Sequence, residues 1–440
     1  MSTVHRRVGL LTATSLVVAN MIGAGIFTTS GIMAGMLPGS HWVLLCWVVG
    51  GTIALAGALC YAELATRMPE EGGEYAYLKR LYHPALGFLT GWISFVVGFT
   101  VAIAASAMAF AEYVLPKGAP GSYSLPHKSL AILLVLLLTA AHYLGIRVGS
   151  RLQNVLTVTK VLIILGLAGV GLALAGDGSI GPPVPADVSS GGFALGAAMM
   201  LVMFSYSGWN ASAYIAEEVA DPRRNLPLSL VAGTGIVICL YLLMNLFIFH
   251  ALPYGEASGS IAVVRSASVA VFGDWMGNAL GYLIAVALLS SLSAFVMLGP
   301  RVYFAMARDG LFFRFASAVH PRFQVPGRSI LVQGAIAIIM VLVGSFEQLL
   351  IYLGFSLSVF PFLAVAGIFI ARKRMIGEST AVRVWAYPYV PLFFLACTLT
   401  LMVLAYWSRP LESTAAVITV LLGIPVYLLW IRTRSSLPSR

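Results

Sequence analysis

The stretch Asn20-Met21-Ile22-Gly23-Ala24-Gly25-Ile26-Phe27 sets two glycines inside a long apolar run, and Phe204-Ser205-Tyr206-Ser207-Gly208-Trp209-Asn210 interrupts another about half a chain later. Each lies roughly a dozen residues into its run, near the midplane of a bilayer crossed at about 1.5 Å per residue. Breaking a helix there frees backbone groups that hydrocarbon tolerates only where they line a cavity. Gly23, Gly25, Ser207 and Gly208 are therefore read as helix-break positions. Matched breaks in the two halves of a chain mark the binding site of a secondary transporter.

Working outward, the 440 residues are 60% hydrophobic and only 10% charged, where a soluble protein carries roughly 25% charged residues. The mean hydropathy is +0.93, and the chain reads as an all-α polytopic membrane protein. Apolar windows give twelve spans, at 9–34, 42–66, 84–115, 128–146, 151–175, 193–218, 227–251, 274–306, 327–344, 347–371, 383–407 and 413–432. The first window is a full-length helix with no small-residue cleavage site before it, so no signal peptide is expected. The Gly/Pro-rich stretch 176–183 reads as a linker between two halves, 1–175 and 192–371. Five spans precede it and five follow, each set opening on a broken helix, with two additional helices at 383–433. This is the pattern of an inverted five-plus-five repeat.

The net charge of +10 would suit a nucleic acid only if the basic residues were clustered on a soluble surface. They are not. With the N-terminus inside, all but five of the 26 Lys and Arg fall on the cytoplasmic side; Lys117, Lys128, Arg265 and Arg409 lie outside and Lys160 lies within a span. That asymmetry predicts both termini in the cytoplasm of a cell-membrane protein. No nucleic-acid partner is expected; the expected surroundings are the lipid bilayer. Cys46, Cys60, Cys239 and Cys397 sit in apolar spans without paired metal spacing, and the seven histidines are scattered. No metal and no cofactor is expected.

The breaks carry chemistry. Glycine has no β-carbon, so Gly23 and Gly25 can take backbone angles closed to other residues and let a ligand approach. The half-helix after the first break presents free N–H groups and a positive dipole end, suited to a carboxylate. The half-helices before the breaks end in unpaired carbonyls, suited to an ammonium group. Together they fit a zwitterion. The competing reading of the glycines is close packing of small residues between helices. No Asp or Glu falls near the midplane, which disfavours multiply cationic substrates and favours neutral amino acids. The cytoplasmic-end acids Glu63, Glu217, Glu218 and Asp221 are expected to pair with Arg223, Arg301 or Arg308.

The segment NMIGAGIF resembles the first-helix signature of the amino acid–polyamine–organocation superfamily, and FSYSGWNASAYIAEE resembles its sixth-helix counterpart. The stretches PEEGGEYAYLKR and GPRVYFAMARDG are similar to loop signatures of the same superfamily, and the Phe-x-Tyr-x-Gly-Trp-Asn form is similar to its L-type amino acid transporter branch. The resemblance covers nearly the whole chain. It implies a twelve-helix fold with discontinuous helices 1 and 6 around a central site. By motif position, the substrate carboxylate would meet N–H groups at Ala24, Gly25 and Ile26, and the amino group carbonyls of Met21, Phe204 and Ser207. Phe204 would be the aromatic gate. Two positions depart from the family pattern: Ala24 stands where many relatives carry a serine hydroxyl, and Ser207 stands where a glycine is common.

Lys160 follows Arg151 by nine residues, about 13 Å deeper along a helix and beyond easy snorkelling. Such a charge costs on the order of 2.5–3.5 kcal/mol and marks function by default. The resemblance implies a fifth-helix lysine where sodium-coupled relatives bind a cation. Lys160 then acts as a cation surrogate, with carbonyls near Ile22–Gly23 and the Ser291 hydroxyl as partners and Ser290 as the second choice. A fixed ammonium there disfavours sodium at the same place. The implied function is alternating-access transport of small to medium neutral L-amino acids, by sodium-independent exchange or, as the alternative, by proton-coupled symport. A polytopic membrane enzyme using Lys160 and Ser291 as a Ser–Lys dyad is the remaining rival. Animal L-type relatives join a heavy subunit through a cysteine in the outer loop between helices 3 and 4. Residues 116–127 contain none, so no disulfide-linked heavy subunit is expected.

Overall fold

The computed structural model describes residues 8–70, 72–115, 124–145, 150–174, 191–308, 310–377 and 382–435. The linker at 176–183 and residues 116–123 of the outer connection fall outside these. Among the described residues the fold is all helical, its only extended pairing being a bridge between Val8 and Val219.

The first apolar run is two helices in line, α1 (Leu10–Met21) and α2 (Ala24–Ala34). Gly23 is extended at φ −120°, ψ −151° and supplies no side chain to cap α2. There follow α3 (Ser40–Arg67), the short amphipathic α4 (Glu74–Leu81) and the long α5 (Pro84–Val114). Within α5 lies a π turn at Ser94–Gly98, where the Ser94 carbonyl accepts both the Phe99 N–H and, at 3.1 Å, the Tyr303 hydroxyl. Next come α6 (Leu125–Tyr143) and α7 (Ser150–Gly166), which continues through a second π turn at Leu167–Gly171. α8 (Gly191–Tyr206) ends where Gly208 turns left-handed at φ +97°. Beyond it are α9 (Pro222–Ala251), α10 (Val263–Arg308), α11 (Gly327–Val343), α12 (Phe346–Lys373), α13 (Tyr389–Ser408) and α14 (Pro410–Ser435). Gly273, at φ +77°, divides α10 just before the apolar window read from the sequence at 274–306.

Nine helical spans among the described residues are long and apolar enough to cross a membrane, counting α1 and α2 as one. Val158–Leu174 and Gly327–Val343 are shorter apolar helices. The apolar window 193–218 is discontinuous, as expected: after Tyr206 it becomes a four-residue turn and one 3₁₀ turn, Ala211–Ile215. Two of its polar side chains, Asn210 and Tyr214, bond to a carboxylate of α4, and this capture replaces helical continuation.

The helices pack in two groups. α9 lies along α1 and α3, with α8 against α2 and α3; α5, α6, α10 and α11 pack on one another. α12 touches both groups, α13 covers α8 and α3, and α14 closes over α5 and α12. Small residues permit the close crossings. A β-carbon on Gly354 of α12 would lie 2.5 Å from the Met200 carbonyl of α8, and one on Gly196 would lie 2.4 Å from the Leu404 backbone of α13.

Candidate functional site

The two breaks, 180 or so residues apart in sequence, meet in space. A β-carbon on Gly208 would stand 3.0 Å from the backbone carbonyl of Asn20. A β-carbon on Gly25 would stand 2.4 Å from Ser205 Oγ, and Thr29 Oγ1 lies 3.2 Å from that same hydroxyl. The glycines divide by role. Gly25 and Gly208 let the broken helices touch, which is the packing reading. Beside Gly23 the space is open, with no atom within 4 Å of where its β-carbon would be.

Around that opening the first N–H groups of α2, at Ala24, Gly25 and Ile26, have no acceptor within the helix, and Gly23 offers no cap. Ala24 and Ile26 are buried. Uncapped donors at a helix start, with the dipole behind them, form a site for an anion. The end of α8 is close by, with Ser205 standing against Gly25 and Thr29. Phe204 and Ser207 are half-buried there, and the Phe204 carbonyl accepts the Ser207 N–H at 2.9 Å.

Met21 stands differently from the other two carbonyl positions. Its oxygen accepts the Gly23 N–H at 2.9 Å and the Tyr241 hydroxyl at 2.5 Å, so both lone pairs are engaged. Tyr241, on α9, also has the Ser205 carbonyl at 3.1 Å. One hydroxyl thereby touches both broken helices. Asn245, one turn further, bonds the Tyr241 carbonyl and accepts from Ser30 of α2 at 2.6 Å. Sequence reasoning missed both residues, because a tyrosine and an asparagine in an apolar helix carry no spacing signal that sets them apart.

Lys160 is 2% exposed. Its Nζ donates to Ser291 Oγ at 2.5 Å and to the Ile22 carbonyl at 3.4 Å. It therefore joins α7 to α10 and to the carbonyl end of α1, directly below Gly23. Ser290 is buried but makes no such bond. The structure thus brings Lys160 and Ser291 to the carbonyl end of α1 at the first break, and Gly208 and Ser205 of the second break against Asn20 and Gly25.

Among the acids at the α1-start face, Glu63 does not pair as expected from sequence. Glu63 meets Arg67 at 3.0 Å and Arg372 at 2.6 Å, and accepts the Val384 N–H at 2.8 Å. Its partners are not Arg223, Arg301 or Arg308, because the ends of α3 and α12 lie side by side there. A second acid, Glu74, sits at the first turn of α4 and is 2% exposed. It accepts Tyr61 at 2.7 Å, together with Asn210 and Tyr214. Burial pushes its carboxyl above the usual carboxylate range, against the lowering effect of the Tyr214 and Tyr61 hydrogen bonds.

Comparison with known proteins bears on this arrangement. A family model described as amino acid permease matches residues 8–430. The serine/threonine exchanger SteT of Bacillus subtilis is 32% identical over 96% of this chain and 96% of its own length. The Asc-type amino acid transporter 1 of Homo sapiens is 28% identical over 98% of this chain and 83% of its own. The b(0,+)-type amino acid transporter 1 of Homo sapiens is 27% identical over 98% and 89%.

Proposed function

This chain belongs to the amino acid permease family of the amino acid–polyamine–organocation superfamily, and we propose that it exchanges small to medium neutral L-amino acids by alternating access, without sodium. The family is one of transporters, so the proximity of Lys160 and Ser291 is not an enzyme's dyad. The observation that carries the proposal is the open space at Gly23 beside the uncapped N–H donors of α2, with the end of α8 close by through the contacts of Gly25 with Ser205 and of Gly208 with Asn20.

A zwitterion there would place its carboxylate on the N–H groups of Ala24, Gly25 and Ile26. Its ammonium would meet the carbonyls of Phe204 and Ser207. The Met21 carbonyl, already holding two donors, would shape the site rather than bind. Phe204 would close over the bound molecule as a gate. The side chain would then point toward Ser207, whose hydroxymethyl occupies more room than glycine and favours small substrates. Lys160 would supply, as a fixed charge, the bracing that a bound cation gives elsewhere. Exchange over proton symport is supported by the exchanger SteT among the similar proteins.

In the same reading the N-terminus lies in the cytoplasm, residues 1–175 and 192–371 form the two inverted halves, and 383–433 adds two helices. The chain works without a disulfide-linked heavy subunit, because its 116–127 connection has no cysteine. Uptake of a panel of labelled amino acids into liposomes holding the purified protein tests the substrate class. Serine-, threonine- and alanine-sized neutral substrates should be carried. Preferential uptake of lysine, arginine or a polyamine would overturn the reading.

A further inference from the structure

The motif Gly72-Gly73-Glu74 is not used by the binding site, yet it makes a buried polar junction of three hydrogen bonds outside it. Gly72 and Gly73 both take positive φ, +105° and +54°. A β-carbon on Gly73 would stand 2.9 Å from the Tyr214 ring, and the Gly72 N–H donates to the Tyr214 carbonyl at 3.1 Å. The glycine pair therefore lets residue 214 lie flat on this loop. Its hydroxyl then reaches Glu74, whose carboxylate also accepts Tyr61 and Asn210.

All three donors are neutral, and among the described residues no ion pair involves Glu74. A carboxylate is acceptor-only and can take all three, and hydrogen bonds to a charged acceptor are the stronger kind. Aromatic rings enclose the junction: Tyr61 meets Trp209 edge-on at 4.8 Å and Tyr77 at 5.8 Å.

The junction crosses between the two helix groups. α4 is docked on α5 and α12, whereas the 211–215 turn packs on α1 and α9. The start of α1 is tied to the same turn, since the Val8 N–H donates to the Glu218 carbonyl at 3.1 Å and the Ala220 N–H to the Val8 carbonyl at 3.0 Å. The segments of both broken helices on that face thus hang together, and Glu74 fastens them to the other group.

We propose that Glu74 is a positioning residue of the transport cycle: the latch that holds the α1 and 209–215 segments seated, and that must release when the site opens to the α1-start face. The assignment rests on the alternating-access reading given above. Weakening the latch shifts the population toward the state open on that face, and the apparent affinity on the opposite face falls in proportion to the population lost.

The test uses the full chain, wild type, Glu74→Gln and Tyr214→Phe. The amide of Gln turns a donor toward Asn210 and the tyrosines, while Tyr214→Phe removes one donor and leaves the carboxylate. In oriented liposomes, Glu74→Gln should raise KM at the face opposite the α1 start fivefold or more, without raising KM at the α1-start face. Tyr214→Phe should act in the same direction by about half as much. Hydrogen–deuterium exchange, which needs no transport, should quicken at least tenfold over residues 209–216 in Glu74→Gln and stay within twofold over residues 26–34. Equal KM changes at both faces, or faster exchange throughout the protein, would overturn the latch. Local exchange acceleration in a protein that carries no amino acid would instead sink the transport reading and leave the latch standing.

Discussion

At the scale of single residues, Lys160 carries the most exposed claim. It is buried, and two acceptors on different helices hold its ammonium. Replacing it with alanine removes the link between α7, α10 and the end of α1 while leaving the Ile22 carbonyl without that donor. Lys160→Ala should lower transport at least tenfold with the protein still folded by size exclusion; near-normal rates would remove Lys160 from the mechanism. Gly208 makes a stability claim. Its left-handed backbone costs a non-glycine residue about 1–2 kcal/mol, and the Asn20 carbonyl that a β-carbon would meet is backbone and cannot swing aside. Gly208→Ala should therefore lower the thermal unfolding midpoint in detergent, and an unchanged midpoint would contradict the contact between the breaks. Lys160 and the glycines were legible in sequence because a charge or a flexible residue in an apolar run is costly and stands out. Glu74 was not, since an acid in a polar loop signals nothing until burial and three donors are seen around it.

At the scale of elements, both expected breaks are present, but only the first is followed by an α-helix. Gly23 parts two α-helices cleanly, because apolar residues on both sides favour helix and nothing competes for them. After Gly208 the chain carries Asn210 and Tyr214, whose bonds to Glu74 lie on another element 136 and 140 residues away. Local periodicity cannot register such distant competitors, and the chain after this break is a 3₁₀ turn. The same limit hid Tyr241, which looks like any aromatic residue of an apolar helix yet bridges both breaks. Losing a hydroxyl that serves buried carbonyls costs about 1 kcal/mol. Tyr241→Phe should accordingly raise the substrate KM roughly fivefold while altering the maximal rate less, as measured by uptake under saturating and limiting substrate. An unchanged KM would show that Tyr241 does not hold the breaks in register.

At the scale of the whole molecule, composition settled the class and the paired breaks settled the centre, whereas the packing of the helices into two groups emerged only in three dimensions. Hydropathy windows treat every apolar run alike. They cannot tell α9, which lies along α1 and α3, from α5, which packs with α6, α10 and α11. In the proposed mechanism that division would supply the moving parts of alternating access: the proposed zwitterion site lies where α1, α2 and α8 meet, Lys160 holds the end of α1 from α7, and Glu74 joins the groups on one face. Exchange without sodium is the central claim about what the assembly does. The direct measurement is uptake of a labelled small neutral amino acid, serine or threonine first, into liposomes holding the purified protein, in sodium-free buffer with equal pH on both sides. Vesicles preloaded with unlabelled substrate should accumulate label many-fold faster than empty ones, and adding sodium should change nothing. Accumulation in empty vesicles driven by a proton or sodium gradient, without any effect of preloading, would contradict the account.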